Sequence, residues 1–196
     1  RLMTKNPFML VATTISAIFI TVLVGVLFFT FKDEPRNTTF NTAFSLINDR
    51  GEAVDQSIFK GNPSLVYFGY THCPEACPTT LYEVAGYLKE LGEDGLPIKS
   101  YLFTVDPERD TPAIMNGYVT AFSDRITGVT GTPEEIRRVV AGWRAFAEKK
   151  PNKSGGYSMS HTMDLFLIGA DGRLKGLIPY GSDPDAAISK IRSALL

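Results

Sequence analysis

A continuous apolar run, residues 64–70, is followed within eight residues by both cysteines of the chain, Cys73 and Cys77, each with a proline directly after it. An apolar run without polar alternation is the pattern of a strand buried on both faces. Proline favours the first position of a helix, so Pro78 is expected to open one over residues 78–91, with Leu81, Val84, Ala85 and Leu88 as its apolar stripe. Strand, cysteine turn and helix therefore follow one another. A strand buried on both faces needs strands beside it and helices above and below, which commits the chain to an α/β fold.

The rest of the chain supplies these partners. A strand over residues 40–47 meets a turn at Asn48-Asp49-Arg50-Gly51 and a short return strand near Ala53 and Val54. Further strands are expected over residues 99–105, 126–130, 165–168 and 174–178. Thr111-Pro112, Thr132-Pro133 and Asp183-Pro184 each open a helix, and Thr132 and Glu135 have the spacing of a capping box. Residues 149–159, polar with Gly and Ser, are expected to form a loop leading to His161. Helices alternating with strands, and hairpins at both ends, give a mixed sheet flanked by helices.

Residues 8–31 carry no charge and no Asn, Gln, His or Pro. At roughly 1.5 Å per residue such a run spans about 36 Å as a helix, enough to cross a bilayer core with some tilt. No small-residue cleavage site follows it, so it is expected to be a retained transmembrane anchor rather than a signal peptide. The expected organisation is a tail over residues 1–7, the anchor over 8–31, a linker over 32–38 and a folded domain over 39–196. Lys and Arg flank the span on both sides and leave its orientation open; a short N-terminal tail favours placing the folded domain outside. Lys and Arg total 20 against 21 Asp and Glu. With no basic stripe, nucleic acid is excluded as a partner.

Two cysteines and two histidines leave few chemistries to consider. Cys77 is expected at the N-cap of the helix, where unpaired N–H groups and the positive helix end favour a thiolate. An inert bridge between the cysteines would close only a very small loop and add little. A dithiol–disulfide couple needs only the two cysteines, though three residues separate them where thioredoxin-type motifs have two. The wider gap leaves room for a metal ion, and His161 is the candidate third ligand. His72 adjoins Cys73, but neighbouring side chains at a strand end face opposite ways, so a packing role suits it better. Met159 and Met163 are candidate thioethers, or core residues. Two thiolates and one imidazole suit copper as Cu(I) or Cu(II). Zinc comes second, because a structural zinc site wants four protein ligands. A second charged turn, Asp106 to Pro112, offers Asp106 and Arg109 as buttresses of the cysteine loop, and Asp110 or Thr111 as a helix cap.

These segments resemble the Sco/SenC family: YFGYTHCPEACPTTL at residues 67–81, TVDPERDTP at 104–112, TGVTGTPEEI at 127–136 and SHT at 160–162. The resemblance runs from about residue 40 to the C-terminus, and the single preceding anchor fits it. It implies a membrane-tethered thioredoxin-like domain, in the periplasm on a bacterial inner membrane or in the mitochondrial intermembrane space. It implies copper on Cys73, Cys77 and His161, and delivery of that copper to the CuA site of cytochrome c oxidase subunit II, with reduction of that partner's thiols as the alternative. A thioredoxin-like reductant and another copper carrier are the accessory partners of such a role. A metallochaperone requires His161; a thiol–disulfide oxidoreductase cycling Cys73 and Cys77 does not. A peroxidase on this fold would leave the paired cysteines unexplained.

Overall fold

The computed structural model describes residue 21 and residues 43–93, 97–152 and 155–195. The chain divides into two units, residues 1–37 and 38–196. The expected tail, anchor and linker lie outside the described residues, apart from residue 21. Among the described residues no helix is long and apolar enough to cross a membrane.

The run at residues 64–70 becomes β3 (Ser64–Gly69), every residue of it buried. It pairs parallel with β4 (Lys99–Thr104), which pairs parallel with β5 (Ile126–Thr130). Parallel neighbours need a crossover, and α1 (Ala76–Glu93) and α2 (Pro112–Thr120) supply the two. On one side β5 pairs antiparallel with β1 (Ser45–Asn48), which turns back into β2 (Ala53–Asp55). On the other, β3 pairs antiparallel with β8 (Leu165–Ile168), which turns back into β9 (Leu174–Ile178). The resulting seven-stranded mixed sheet has the order β2-β1-β5-β4-β3-β8-β9. A third helix, α3 (Pro133–Gly142), starts at the capping box of Thr132 and Glu135, and α4 (Pro184–Leu195) is the last element. The expected mixed sheet flanked by helices is what forms.

The core is aromatic. Trp143, 1% exposed, packs against Phe59, Phe68, Phe103 and Phe166 with ring centroids 5.3–6.1 Å apart. Such pairs contribute about 0.5–1.5 kcal/mol each beyond the area they bury. On α1 the expected stripe is present: Leu81, Val84 and Leu88 are buried, joined by Tyr87 and Leu91, with Ala85 half-buried.

Three expectations need correction. The first strand among the described residues is Ser45–Asn48; positions 43 and 44 of the expected strand lie outside it, and 40–42 fall outside the described residues. α1 begins at Ala76, two residues before Pro78: proline is tolerated throughout the first helical turn because its N–H would be unpaired there anyway. The expected loop at 149–159 is mostly a hairpin, β6 (Ala147–Pro151) with β7 (Tyr157–His161), in register from Ala147↔His161 to Pro151↔Tyr157. It reads as loop because β6 is charged and exposed along most of its length. A ribbon held by its ladder and by specific side-chain contacts carries little of the apolar pattern that marks a core strand.

Candidate metal centre

The carboxyl ends of β3 and β4 lie side by side, tied by Val105 N–H donating to Gly69 O at 2.8 Å. The cysteine turn leaves the first end and the Asp106–Asp110 turn the second. Crowding explains Gly69: a Cβ there would lie 2.8 Å from Tyr67 Cε1 and 3.1 Å from Cys77 Sγ.

Asp110, fully buried, holds the cysteine turn. Its carboxylate accepts from the Thr71 hydroxyl at 2.6 Å, the Thr71 N–H at 3.2 Å and the Thr104 hydroxyl at 2.6 Å. Burial raises its pKa against the pull of these donors. Thr111 caps α2. The buttress expected of Asp106 and Arg109 therefore belongs to Asp110.

Asp106 and Arg109 hold the hairpin instead. Asp106, 1% exposed, accepts from Arg109 Nε and, at 2.8 Å, from the Tyr157 hydroxyl. The Arg109 guanidinium lies 3.9 Å from the Tyr157 ring centroid and donates to Tyr157 O at 3.3 Å. Tyr157, Met159 and His161 alternate along β7 and share one face. Latching Tyr157 thus aims His161 at the cysteines. This alternation was readable in the sequence; the role of Asp106 was not.

The two cysteines differ. Cys77 is inside α1, wholly buried, and donates its backbone N–H to Cys73 Sγ at 3.3 Å. A hydrogen bond from the Cys77 thiol, with backbone N–H bonds from Cys77 and Glu75, brings the Cys73 pKa down to about 5. The same bond, then burial, pushes Cys77 far up. The thiolate therefore sits on Cys73, half-buried in the turn, rather than on Cys77 as the sequence suggested: Cys73 accepts from the Cys77 thiol and from two backbone N–H groups, while Cys77 donates its own proton and is the more buried of the two.

His161 completes the group. Its Nε2 lies 3.6 Å from Cys77 Sγ, and its Nδ1 lies 2.8 Å from Thr162 O. A carbonyl only accepts, so the proton is on Nδ1 and the Nε2 lone pair faces the sulfurs. The rings of Tyr67 and Tyr70 meet the imidazole edge-on at 5.9 and 5.7 Å. Tyr67 also donates its hydroxyl to Cys77 Sγ at 3.8 Å. The donor atoms of Cys73, Cys77 and His161 all lie within 4.8 Å of one another. With metal–sulfur bonds of about 2.3 Å and metal–nitrogen bonds of about 2.0 Å, donors on one ion stand about 4 Å apart, so the group fits an ion after small movements. Two soft sulfurs and one imidazole match copper better than a closed zinc cage. His72 is half exposed and lies outside the group; Met159 packs partly against the core and Met163 is exposed.

A mixed-sheet α/β domain carrying two thiols and an imidazole on the turns above its central strands defines a thioredoxin-like metal- or thiol-handling protein. The SCO1/SenC family model matches residues 32–196, and the chain belongs to that family. It is 39% identical over 132 residues to the mitochondrial protein SCO2 homolog of Bos taurus, across 66% of this chain and 50% of that one; the chain thus spans about half the length of that curated relative. Bradyrhizobium japonicum ScoI with copper bound superposes with a TM-score of 0.72 at 38% identity, covering 79% of this chain and 99% of that one. BsSco, a Sco-family cytochrome c oxidase assembly protein with a disulfide switch, superposes at 0.65 with 25% identity, covering 79% and 92%.

Proposed function

We propose that this chain carries copper on Cys73, Cys77 and His161 and supplies it to the CuA site of cytochrome c oxidase subunit II during assembly. The observation that carries the reading is the convergence of these three donors above β3 and β4. The copper-bound Bradyrhizobium relative and the oxidase-assembly role of BsSco support the cargo and the destination. Cys73 offers a thiolate already stabilised, His161 offers a lone pair aimed by Thr162, and Cys77 gives up its proton as the ion arrives, so loading releases protons. Cys73 and His161 are both partly exposed, which leaves a side from which an acceptor's thiolates can displace them one at a time. Residues 8–31 serve in this reading as the membrane anchor, with the domain in the periplasm or mitochondrial intermembrane space. Their charge-free run and the mitochondrial relative support that placement.

A second reading rests on the asymmetry of the thiols. The Cys73 thiolate would attack a partner's disulfide to form a mixed disulfide. Cys77 would then displace the partner as a dithiol, leaving Cys73 and Cys77 bridged. The disulfide switch of BsSco favours this chemistry.

Titration of Cu(I) into the reduced full chain against a competing chelator separates the two. One tightly held copper, weakened tenfold or more in His161→Ala, is the expected result. Binding indifferent to the substitution would remove His161 from the site. No competitive binding, with a model disulfide still reduced, would leave the oxidoreductase.

A further inference from the structure

The hairpin that carries His161 has one edge held by the domain and one left open. On β7, Tyr157 turns its carbonyl to Arg109 at 3.3 Å. On β6 the ladder sets which groups face outward. Phe146 O accepts from the Thr162 N–H at 3.0 Å, so these two form a hydrogen-bonded pair next to Ala147↔His161. Bonding alternates along an antiparallel ladder, which commits Glu148 and Lys150 to β7 and turns the N–H and C=O of Ala147 and Lys149 away from it. Among the described residues β6 pairs with no strand but β7. Ala147 and Lys149 also line a groove of about 540 Å³, whose apolar wall includes Val105, Ile136, Val140 and Phe146. Phe146 is 49% exposed at its lip.

Four charged residues line this groove, and three of them are already satisfied. Asp106 is taken by Arg109 and Tyr157, and Glu108 pairs with Lys149. Arg137, exposed on α3, forms no ion pair among the described residues, whereas its neighbour Arg138 pairs with Glu134 at 3.3 Å. The groove therefore suits an apolar side chain accompanied by one carboxylate. An open strand edge suits an extended polypeptide, which adds to it by main-chain hydrogen bonds. Glu148 and Lys150 pair with each other on the opposite face of β6, so their charges guard the edge against indiscriminate strand addition and leave the groove face clear.

We propose that the open edge of β6 and this groove dock the copper acceptor, through an extended segment that lies along Ala147–Lys149 as a third strand. The segment sets an apolar side chain against Val140 and Phe146 and a carboxylate on Arg137. The inference rests on the copper-carrier reading and deepens it by assigning the face that the acceptor uses. Ala147 stands opposite His161 across the ladder. A strand added to β6 lies about 4.8 Å from it and about 10 Å from β7, near enough for a loop at the end of that strand to bring its thiolates to the ion. Docking and copper binding use different residues, so the first can be weakened without touching the second.

The test uses the full chain and, as probe, the reduced, copper-free soluble domain of cytochrome c oxidase subunit II. Two substitutions at exposed positions weaken the docking face: Arg137→Glu reverses its free charge, and Ala141→Arg fills the groove from α3. In each, the probe concentration that half-saturates the rate of Cu(I) transfer should rise fivefold or more, while Cu(I) affinity and the saturated rate stay within twofold. Arg137→Lys should behave as wild type. Amide exchange at Ala147 and Lys149 should slow tenfold or more when the probe is added to the copper-free chain. Half-saturation within twofold of wild type in both variants overturns the proposal, and so does unchanged exchange at these two amides. A dimer of the chain alone that Ala141→Arg dissolves in sedimentation also overturns it, since the occupant would then be a second copy. Failure of the wild type to bind Cu(I), or indifference to His161→Ala, would instead overturn the copper-carrier reading.

Discussion

At the scale of single residues, the placement of the two sulfurs one helical turn apart decides their chemistry. Cys73, outside α1, accepts a hydrogen bond from the Cys77 thiol and others from the Cys77 and Glu75 N–H groups, which bring it down to about 5, against 9.0 for a free thiol. Cys77, inside α1, stays protonated. Alkylation of the metal-free chain by iodoacetamide should therefore fall first on Cys73, with a rate half-maximal at about pH 5 and already level at pH 7, read by mass spectrometry of the labelled peptides. A half-maximum near pH 9 would refute the assignment. The effect on stability has a definite sign. Between about pH 5 and pH 9 the unfolded chain binds the more protons at Cys73, so this thiol stabilises the fold increasingly as pH rises, and its contribution is lost as pH falls through 5. Above pH 9 Cys77 acts the other way, since the unfolded thiol ionises and the folded one does not.

At the scale of elements, the Asp106–Asp110 turn divides its labour. Asp110 fastens the cysteine turn, and Asp106 with Arg109 fastens the hairpin that carries His161. Tyr157→Phe removes one hydrogen bond to a buried carboxylate and should cost about 1–3 kcal/mol. The loss should be local. Amide exchange in β7 should quicken while β3 and β4 keep their protection, and Cu(I) affinity should fall severalfold because His161 is less well aimed. Uniform loss of protection would show that the latch supports the whole domain. The hairpin also shows where pattern reading stops. β3 announced itself by an unbroken apolar run, and α3 by Thr132, Pro133 and Glu135. β6 has charged residues on an exposed ribbon, and its pairing with β7 follows from a ladder and a latch, neither of which has a local signature.

At the scale of the whole molecule, the candidate ligands come from distant parts of the chain: Cys77 and His161 are 84 residues apart. The group can therefore hold an ion only once β3, β4 and the hairpin are assembled, and copper should stabilise the fold by mass action. At free Cu(I) of one hundred times Kd the gain is about 2.7 kcal/mol, which for a domain of this size raises Tm by about 5–10 °C. Scanning calorimetry should show this rise in the wild type and a smaller one in His161→Ala at the same free copper; equal rises would place the stabilising ion elsewhere. The sequence by itself determined the α/β class, the central strand with its cysteine turn, most helix starts, and Cys73, Cys77 and His161 as the residues to watch, because apolar period, proline and rare residue types are local properties. Only the tertiary structure decided which cysteine is the thiolate, that Asp110 and not Asp106 supports the cysteine turn, and that a ribbon rather than a loop presents His161. Each of these depends on which N–H or hydroxyl a side chain reaches across the fold, and that distance is written in no single stretch of the chain.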